Sequence, residues 1–499
     1  MEIPVIKNNQ RIPLASIPKL DYESFLDLVV NRLMNREDAH CVNYYGYPSG
    51  GSVRLICCIA FDRDCSIHLL STQVEQDREI PSITAGIKAF HGFEREIHEN
   101  FGIRYTDHPW LKPLRYPHGR AFPDQTIENY SFYTIDGEEL HEVGVGPIHA
   151  GIIEPGHFRF ICNGEQILHL EIQLGYQHRA IEKLFIQKTG IHRLVTLAES
   201  IAGDTVAGHA SAFVNAWESL CGFIPPERLV IERAIALEME RMAVYTGDLS
   251  AICGDIAYQL GSSVFGRLRT PLINFFQEWC GNRFAKSLIR PGKTNFMLSQ
   301  ALAERWKQVI SAYEPDLLEM YDEFSDLPSA LARMERTGTV TKETAAEIGM
   351  VGMAARASAL PRDVRASHPE GWFRYMDHEP LIKHHGDVYS RTQLRKAEIV
   401  QSIGTIRKAL DAMPASSPHQ KDPGSPIPDS FVISLVEGWR GEICHCAITG
   451  SNGELLHYKI KDPSFHNWLG LALAVRKNEI SDFPVCNKSF NLSYCGYDL

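Results

Sequence analysis

The amino-acid sequence predicts an α+β N-terminal domain followed by a mainly α-helical domain that carries small β elements. Three observations lead there. A helix-period stretch and two β-rich stretches joined through glycines open the chain, long helical patterns fill its middle, and strand-like runs border those helices on both sides. At 499 residues the chain has room for roughly two to four domains and needs no disulfide or metal staple. The divisions read as 15–117 for the first domain, 118–142 for a linker and 143–499 for the second.

Each element follows from its residues. Tyr22 to Met34 has helix periodicity, whereas Cys41 to Tyr47 and Val53 to Phe61 read as strands with glycines at the turn between them. Pro117 to Glu142 is more polar and reads as a linker. From Gly144, two short strands ending near Phe160 and Leu170 lead into helices that run to about Leu410. On one of these helices Ile231, Ile235, Met242 and Leu249 share a stripe with Glu238 and Tyr245. A carboxylate on a buried stripe must be paired or protonated, and Arg241, three residues on, is the preferred partner over a proton-carrying role. Pro414, Pro418, Pro423, Pro426 and Pro428 stop helix continuation and mark an extended or flexible segment. Ile443 to Thr449 and Leu455 to Ile460 flank Asn452-Gly453, which predicts a hairpin with a tight turn. The tail from Phe465 to Leu499 reads as a helical part with an irregular end.

Charge and composition exclude several functions. A formal charge of -11 gives no basic footprint for nucleic acid or anionic lipid. The first residues lack a secretory pattern, and no stretch reaches the roughly 18 apolar residues of a membrane span, so a membrane role requires partner subunits that hold the chain there. Twelve cysteines in so long a chain are no disulfide framework. The close pairs Cys57/Cys58 and Cys444/Cys446 lack the two-residue gap of zinc or cluster ligands and lie in strand-like runs, as small buried hydrophobes do. No glycine-rich phosphate loop follows a strand, which argues against nicotinamide binding.

Two groups of motifs carry a family resemblance. Phe93-Glu94-Arg95-Glu96-Ile97-His98-Glu99-Asn100-Phe101-Gly102-Ile103, then Asp107-His108-Pro109 and Leu114-Arg115-Tyr116-Pro117, would by composition be a capped helix and nothing more. As a string it resembles the signature of the 30 kDa subunit of respiratory complex I. Gly146-Pro147-Ile148-His149, Glu154-Pro155-Gly156-His157-Phe158 and Gly175-Tyr176-Gln177-His178-Arg179-Ala180-Ile181-Glu182-Lys183 resemble the 49 kDa subunit. They resemble still more closely the large subunit of group 4 membrane-bound nickel-iron hydrogenases, where the two parts are often fused in this order. Leu237-Glu238-Met239-Glu240-Arg241, Asp363-Val364-Arg365, Gly386-Asp387-Val388-Tyr389-Ser390-Arg391 and Glu437-Gly438-Trp439-Arg440-Gly441-Glu442 agree. The second domain is therefore expected to be hydrogenase large-subunit-like.

The resemblance implies a site where the Gly-Pro-His loop, the helix after the Arg179 segment and the C-terminus meet beside an iron-sulfur cluster of a smaller partner subunit. At the four nickel-ligand positions of the relatives stand Ala202, Thr205, Ser493 and Gly496, with Cys495 one residue out of register. Nickel needs thiolates, so no metal centre of that kind is expected; a site built on Cys495 with His149 or His209 stays an alternative. Where the complex I relative places a quinone-binding histidine and tyrosine stand Ile153 and Gly203, and His149 and His157 flank the loop either as substitutes or as backbone-bonded side chains. The remaining polar set is Glu154, His157, His178, Arg179, Asp204, His209 and Asp498. Of these, the resemblance places His178 and Arg179 near the partner's cluster, where the arginine's charge would raise its reduction potential. Glu154 and Asp204, partly desolvated, are expected to have raised pKa values and to relay protons.

The function implied is that of the large subunit of a membrane-attached respiratory or energy-converting complex that has lost its nickel-iron centre. It would couple electron transfer at the partner's cluster to ion translocation. Expected partners are a small iron-sulfur subunit and membrane-embedded antiporter-like and quinone-chamber-like subunits, with no nucleic acid. The chain itself is expected to bind no cofactor, a quinone being the candidate exception, and to sit peripherally on the cytoplasmic face of the cell membrane. Two alternatives stand beside this: a quinone or other small-molecule reductase with a pocket around His149, His157 and Cys495, and a redox-silent scaffold.

Overall fold

The structure is a computed structural model and describes residues 3–149, 153–415 and 421–499. Short strands β1 (Val5–Ile6), β2 (Ile12–Pro13) and β3 (Lys19–Leu20) precede helix α1 (Tyr22–Asp27), which starts where the Asp21 carboxylate accepts the Ser24 N–H at 2.8 Å. The predicted helix continues to Leu33 as a π-helix. Strands β4 (Ala39–Ser49), β5 (Ser52–Phe61) and β6 (Ser66–Val74) form a meander. Its first turn is Gly50-Gly51, with φ of 61° and 82° that a side chain would resist. Because β1 joins β6 antiparallel and β3 joins it parallel, the five-stranded sheet is mixed. β7 (Glu79–Pro81), α2 (His91–Phe101) and β8 (Arg104–Thr106) complete this part.

The second part opens with an antiparallel sheet of β9 (Leu140–Val145), β10 (His157–Asn163) and β11 (Gln166–Gln173). Helices α3 (Ile181–Gln187), α4 (Ile191–Ala198), α5 (Val206–Leu220), α6 (Glu227–Asp255) and α7 (Gln259–Cys280) follow. After a small hairpin of β12 (Ile289–Arg290) and β13 (Lys293–Thr294) come α8 (Gln300–Ser325), the short α9 (Pro328–Met334), α10 (Lys342–Glu347), α11 (Gly352–Ala357) and α12 (Val364–Ser367), and then α13 (Val388–Ala412). α6 is the bundle's centre and packs on α7 and α13. α13 ends at Met413, whose extended backbone precedes Pro414. Pro423, Pro426 and Pro428 lie in non-helical chain, while Pro418 falls outside the described residues. Among the described residues no helix is long and apolar enough to cross a membrane.

Glu238 is paired, as its stripe position required. It accepts from Arg241 at 3.2 Å, from Arg365 and from Ser402, and two guanidinium groups outweigh burial to hold its carboxyl down to about 2.

Two features of the C-terminal portion differ from the expectations. The hairpin of β15 (Gly441–Thr449) and β16 (Leu455–Lys461) pairs Thr449 with Leu455, so its connection is the five-residue stretch 450–454 and not a two-residue turn. Gly453 takes φ 81°, but the Gly450 N–H bonds to the Glu454 carbonyl and closes the wider loop. The tail, α14 (Ser464–Ala474), α15 (Phe483–Phe490) and α16 (Tyr494–Asp498), is helical to its end because the Ser493 hydroxyl caps the last turn by accepting the Gly496 N–H at 2.9 Å. β14 (Ser430–Gly438) is an addition to the expected strands: every residue of β14 and β15 is buried, and a strand without alternation cannot be told from a helix by period.

The two parts share their core. β4–β6 turn Tyr45, Tyr47, Ile56, Cys58 and Leu69 onto Phe431, Ile433, Leu435, Cys444 and Cys446 of β14 and β15, so the cysteines are packing groups. β2 extends the second sheet by pairing Ile12 with Phe431. α2 is no ordinary amphipathic helix, since Glu94, Arg95, Glu96, His98 and Glu99 are all buried. Glu94 ends on Ser82, Ile83 and Thr84; Glu99 takes the Arg115 and Tyr116 N–H groups; and Glu96 takes Arg115 and, from the second part, Lys459. Gly92 lets Phe465 approach, because a Cβ there would stand 2.7 Å from its ring.

Asn8 stitches the first segment to β14: its amide donates to the His368 and Leu435 carbonyls at 2.8 and 2.9 Å and accepts the Leu435 N–H at 2.8 Å. Asn8→Ala leaves these buried backbone groups unpaired and is expected to cost about 2–4 kcal/mol in chemical denaturation; a loss below about 0.5 kcal/mol would contradict this role.

Candidate functional site

Four segments converge: residues 146–149 with 153–154, the residues before α5, the turn between β14 and β15, and the tail. Glu154 accepts the Cys495 N–H at 3.0 Å and so ties the loop to the start of α16. Asp498 accepts the Gly175 and Gln177 N–H groups at 2.8 and 2.7 Å, its carbonyl meets His178 Nδ1 at 2.7 Å, and the Leu499 oxygen accepts from Arg179 and Ile181. Arg179 donates to the Ser200 and Ile201 carbonyls at 2.7 and 2.8 Å, directly before Ala202. The structure thus brings Glu154, Cys495, His178, Arg179 and Asp498 into one contiguous set.

Arg440 closes the set from the far side. Its guanidinium forks onto both oxygens of Asp204 at 2.7 Å, reaches the Thr205 hydroxyl at 3.0 Å and the Asn491 carbonyl at 2.6 Å, and lies 3.8 Å over the Trp439 ring. Trp439 in turn donates to the Asp204 carbonyl. The two-residue turn Trp439-Arg440 exists because β14 and β15 pair up to Gly438 and Gly441. In the sequence Arg440 is one member of a motif with no role attached; its partner, more than two hundred residues away, is visible only in the fold.

Several expectations are corrected. Burial would raise Asp204, but Arg440 beside it holds its carboxyl below the usual range, so it is a fixed anion and not a raised-pKa relay. The carboxyl that burial does raise is Glu240, to about 8, even though it accepts the Ala207 and Gly208 N–H groups at 2.7 and 3.2 Å. Burial also pushes Asp498 up to about 7. His209 cannot join Cys495 on a metal, because it is fully buried with both ring nitrogens committed to His445 and Asp462 at 3.1 and 3.0 Å. His157 turns its Nδ1 to the Gly146 carbonyl at 3.2 Å, the backbone-bonded alternative, and its ring packs on Phe132. His149 stands between the rings of Phe158 and Tyr494, burial lowers its pKa, and its Nε2 has no partner among the described residues.

The donors do not fit a thiolate-held nickel-iron centre. Ala202 offers a methyl group, Thr205 is engaged by Arg440, the Ser493 hydroxyl caps Gly496, and burial pushes the neighbouring Cys495 thiol up to about 12. Among the described residues no three His, Cys, Asp or Glu side chains converge as metal ligands.

Glu240 yields a pH prediction. The folded chain keeps a proton there that the unfolded chain releases between pH 4.5 and about 8. Its contribution to stability is therefore complete below 4.5 and declines as pH rises to about 8. Glu240→Gln keeps an acceptor for both N–H groups and should flatten that decline, raising the denaturation midpoint at pH 8 relative to wild type; parallel pH profiles would refute the assignment.

Residues 18–124 match the family described as the respiratory-chain NADH dehydrogenase 30 Kd subunit, and residues 258–430 match the 49 Kd subunit of the same enzyme. The chain is 28% identical over 448 residues to formate hydrogenlyase subunit 5 of Escherichia coli, covering 85% of this chain and 78% of the relative. It is 27% identical over 366 residues to the membrane-bound hydrogenase subunit alpha of Pyrococcus furiosus, covering 70% and 85%. It is 27% identical over 432 residues to the C/D subunit of the NADH-quinone oxidoreductase of Bacteroides thetaiotaomicron, covering 79% and 80%. Two family matches in this order, with relatives that span both, show that the chain belongs to the fused 30 kDa/49 kDa complex I-type subunits to which these hydrogenase and oxidoreductase chains are related.

Proposed function

We propose that this chain is the large subunit of a membrane-attached respiratory or energy-converting complex in which the Arg440–Asp204 ion pair stands where relatives hold a nickel-iron centre. The observation that carries the reading is the donor set: no thiolate at positions 202, 205, 493 or 496, and a guanidinium fixed between the helix start, the strand turn and the tail. In this reading a small iron-sulfur partner delivers electrons beside Arg179 and His178. The cavity answers with protonation changes, and antiporter-like membrane subunits convert these into ion movement. A chain without a membrane-crossing helix among its described residues would be held by those partners on the cytoplasmic face. Glu154 and Asp498 line the route because each binds backbone N–H groups of another segment of the site. Glu240, behind Asp204, is a proton-holding group.

A reductase reading is favoured by one feature, the unpartnered Nε2 of His149 beside Tyr494, which could donate to a quinone oxygen. Electron transfer from the purified complex to a soluble quinone, abolished by His149→Phe, would establish it. Coupled turnover indifferent to that change leaves the first reading in place. Coupling that survives bulky side chains filling the pocket would make the chain a scaffold.

For the proposed function, Arg440→Lys loses the forked contact to Asp204 and the bond to Asn491. Coupled ion translocation by the assembled complex should fall by at least about tenfold with assembly intact. Stoichiometric nickel in the purified complex, or an unchanged coupled rate in R440K, overturns the reading.

A further inference from the structure

Behind the cavity lies a buried row of four hydrogen-bonding side chains that no part of the site uses. Asp462 follows β16, His209 sits in the first turn of α5, His445 is in β15 and Tyr458 is in β16. None is more than 1% exposed. Asp462 Oδ2 meets His209 Nε2 at 3.0 Å, His209 Nδ1 meets His445 Nε2 at 3.1 Å, and His445 Nδ1 meets the Tyr458 hydroxyl at 2.8 Å.

The ends of the row reach two different parts of the molecule. At one end Asp462 Oδ2 lies 2.7 Å from where a Cβ on residue 496 would stand, so glycine at that position lets the carboxylate pack directly against the tail at the candidate site. His209, and then Arg440, hold that carboxyl below the usual range against burial. At the other end Tyr458 lines a cleft of about 300 Å³ between α2 and α3, together with Glu96, Glu182, Lys183, His457 and Lys459.

With both imidazole rings neutral, hydrogen-bond chemistry sets the direction of every proton in the row. A carboxylate only accepts, so His209 Nε2 carries hydrogen; in a neutral ring its Nδ1 then accepts, so His445 Nε2 carries hydrogen; and His445 Nδ1 accepts from the tyrosine O–H. Burial keeps His445 neutral. All donors therefore point from the cleft toward the cavity.

We infer that Tyr458, His445, His209 and Asp462 form a proton relay between the interdomain cleft and the candidate cavity. In one passage the Tyr458 hydroxyl proton moves to His445 Nδ1, the His445 Nε2 proton moves to His209 Nδ1, and the His209 Nε2 proton moves to Asp462. Cleft water returns a proton to the tyrosine oxygen, so the row gains one proton and no electron is transferred. Afterwards every donor points toward the cleft and the next passage runs outward. The relay's use in turnover rests on the cavity being the reacting site proposed above; its existence does not.

The test uses the purified full chain labelled with 15N-histidine. Both rings should show hydrogen on Nε2 and none on Nδ1, and Tyr458→Phe, which deletes one oxygen, should slow solvent exchange of the His209 N–H by at least about tenfold. Amide exchange in β15 and β16 should not change. His445→Gln, whose carboxamide bonds at both ends but cannot relay, should slow His209 in the same way. Hydrogen on Nδ1 of either ring, or an unchanged His209 rate in a folded variant, overturns the relay. The readout needs no electron donor: slowed exchange with unaltered coupling in the assembled Y458F complex leaves the relay standing and removes only its use in turnover.

Discussion

The carboxylate of Glu96 is the contact on which the site depends. It belongs to the first part of the chain, yet it lies buried between Arg115 and Lys459 at 2.5 Å from each, and those cations hold it ionised against burial. Arg115 uses its remaining capacity on the Tyr497 carbonyl at 2.7 Å. One charge thus joins helix α2, strand β16 and the last turn of the tail. A buried charge left without its partner is strongly destabilising, so these three segments must come together or not at all. The end of the tail is positioned by a helix from the other domain.

The same physics separates two glutamates two residues apart on one helix. Glu238 and Glu240 are both buried, but positions i and i+2 face different ways. Glu238 points at Arg241 and Arg365 and is held down to about 2; Glu240 points at two backbone N–H groups and rises to about 8. Dipoles do not compensate lost hydration as guanidinium groups do. Glu240 can therefore hold a proton near Asp204, whose carboxyl Arg440 keeps below the usual range.

Positions 202, 205, 493 and 496 are structural in this fold. Every one of the four positions serves the local structure, since Ala202 fills core, Thr205 braces Arg440, Ser493 caps the final helix, and Gly496 leaves room for Asp462. These contacts help to hold the helix start and the tail in place.

The sequence by itself determined the fold class, the order of the two parts and the buried pairing of Glu238. Those follow from period, from the cost of burying a lone charge and from residue identity, all of which are local. Only the tertiary structure decided how charge is distributed in the site. Asp204 looked like a raised carboxyl until Arg440 arrived from the turn after β14, a strand that has no alternation to betray it. His209 looked like a spare ligand until Asp462 and His445 took both its nitrogens. A side chain's pKa and its free lone pairs depend on neighbours hundreds of residues distant, and the spacing of a motif along the chain does not encode them.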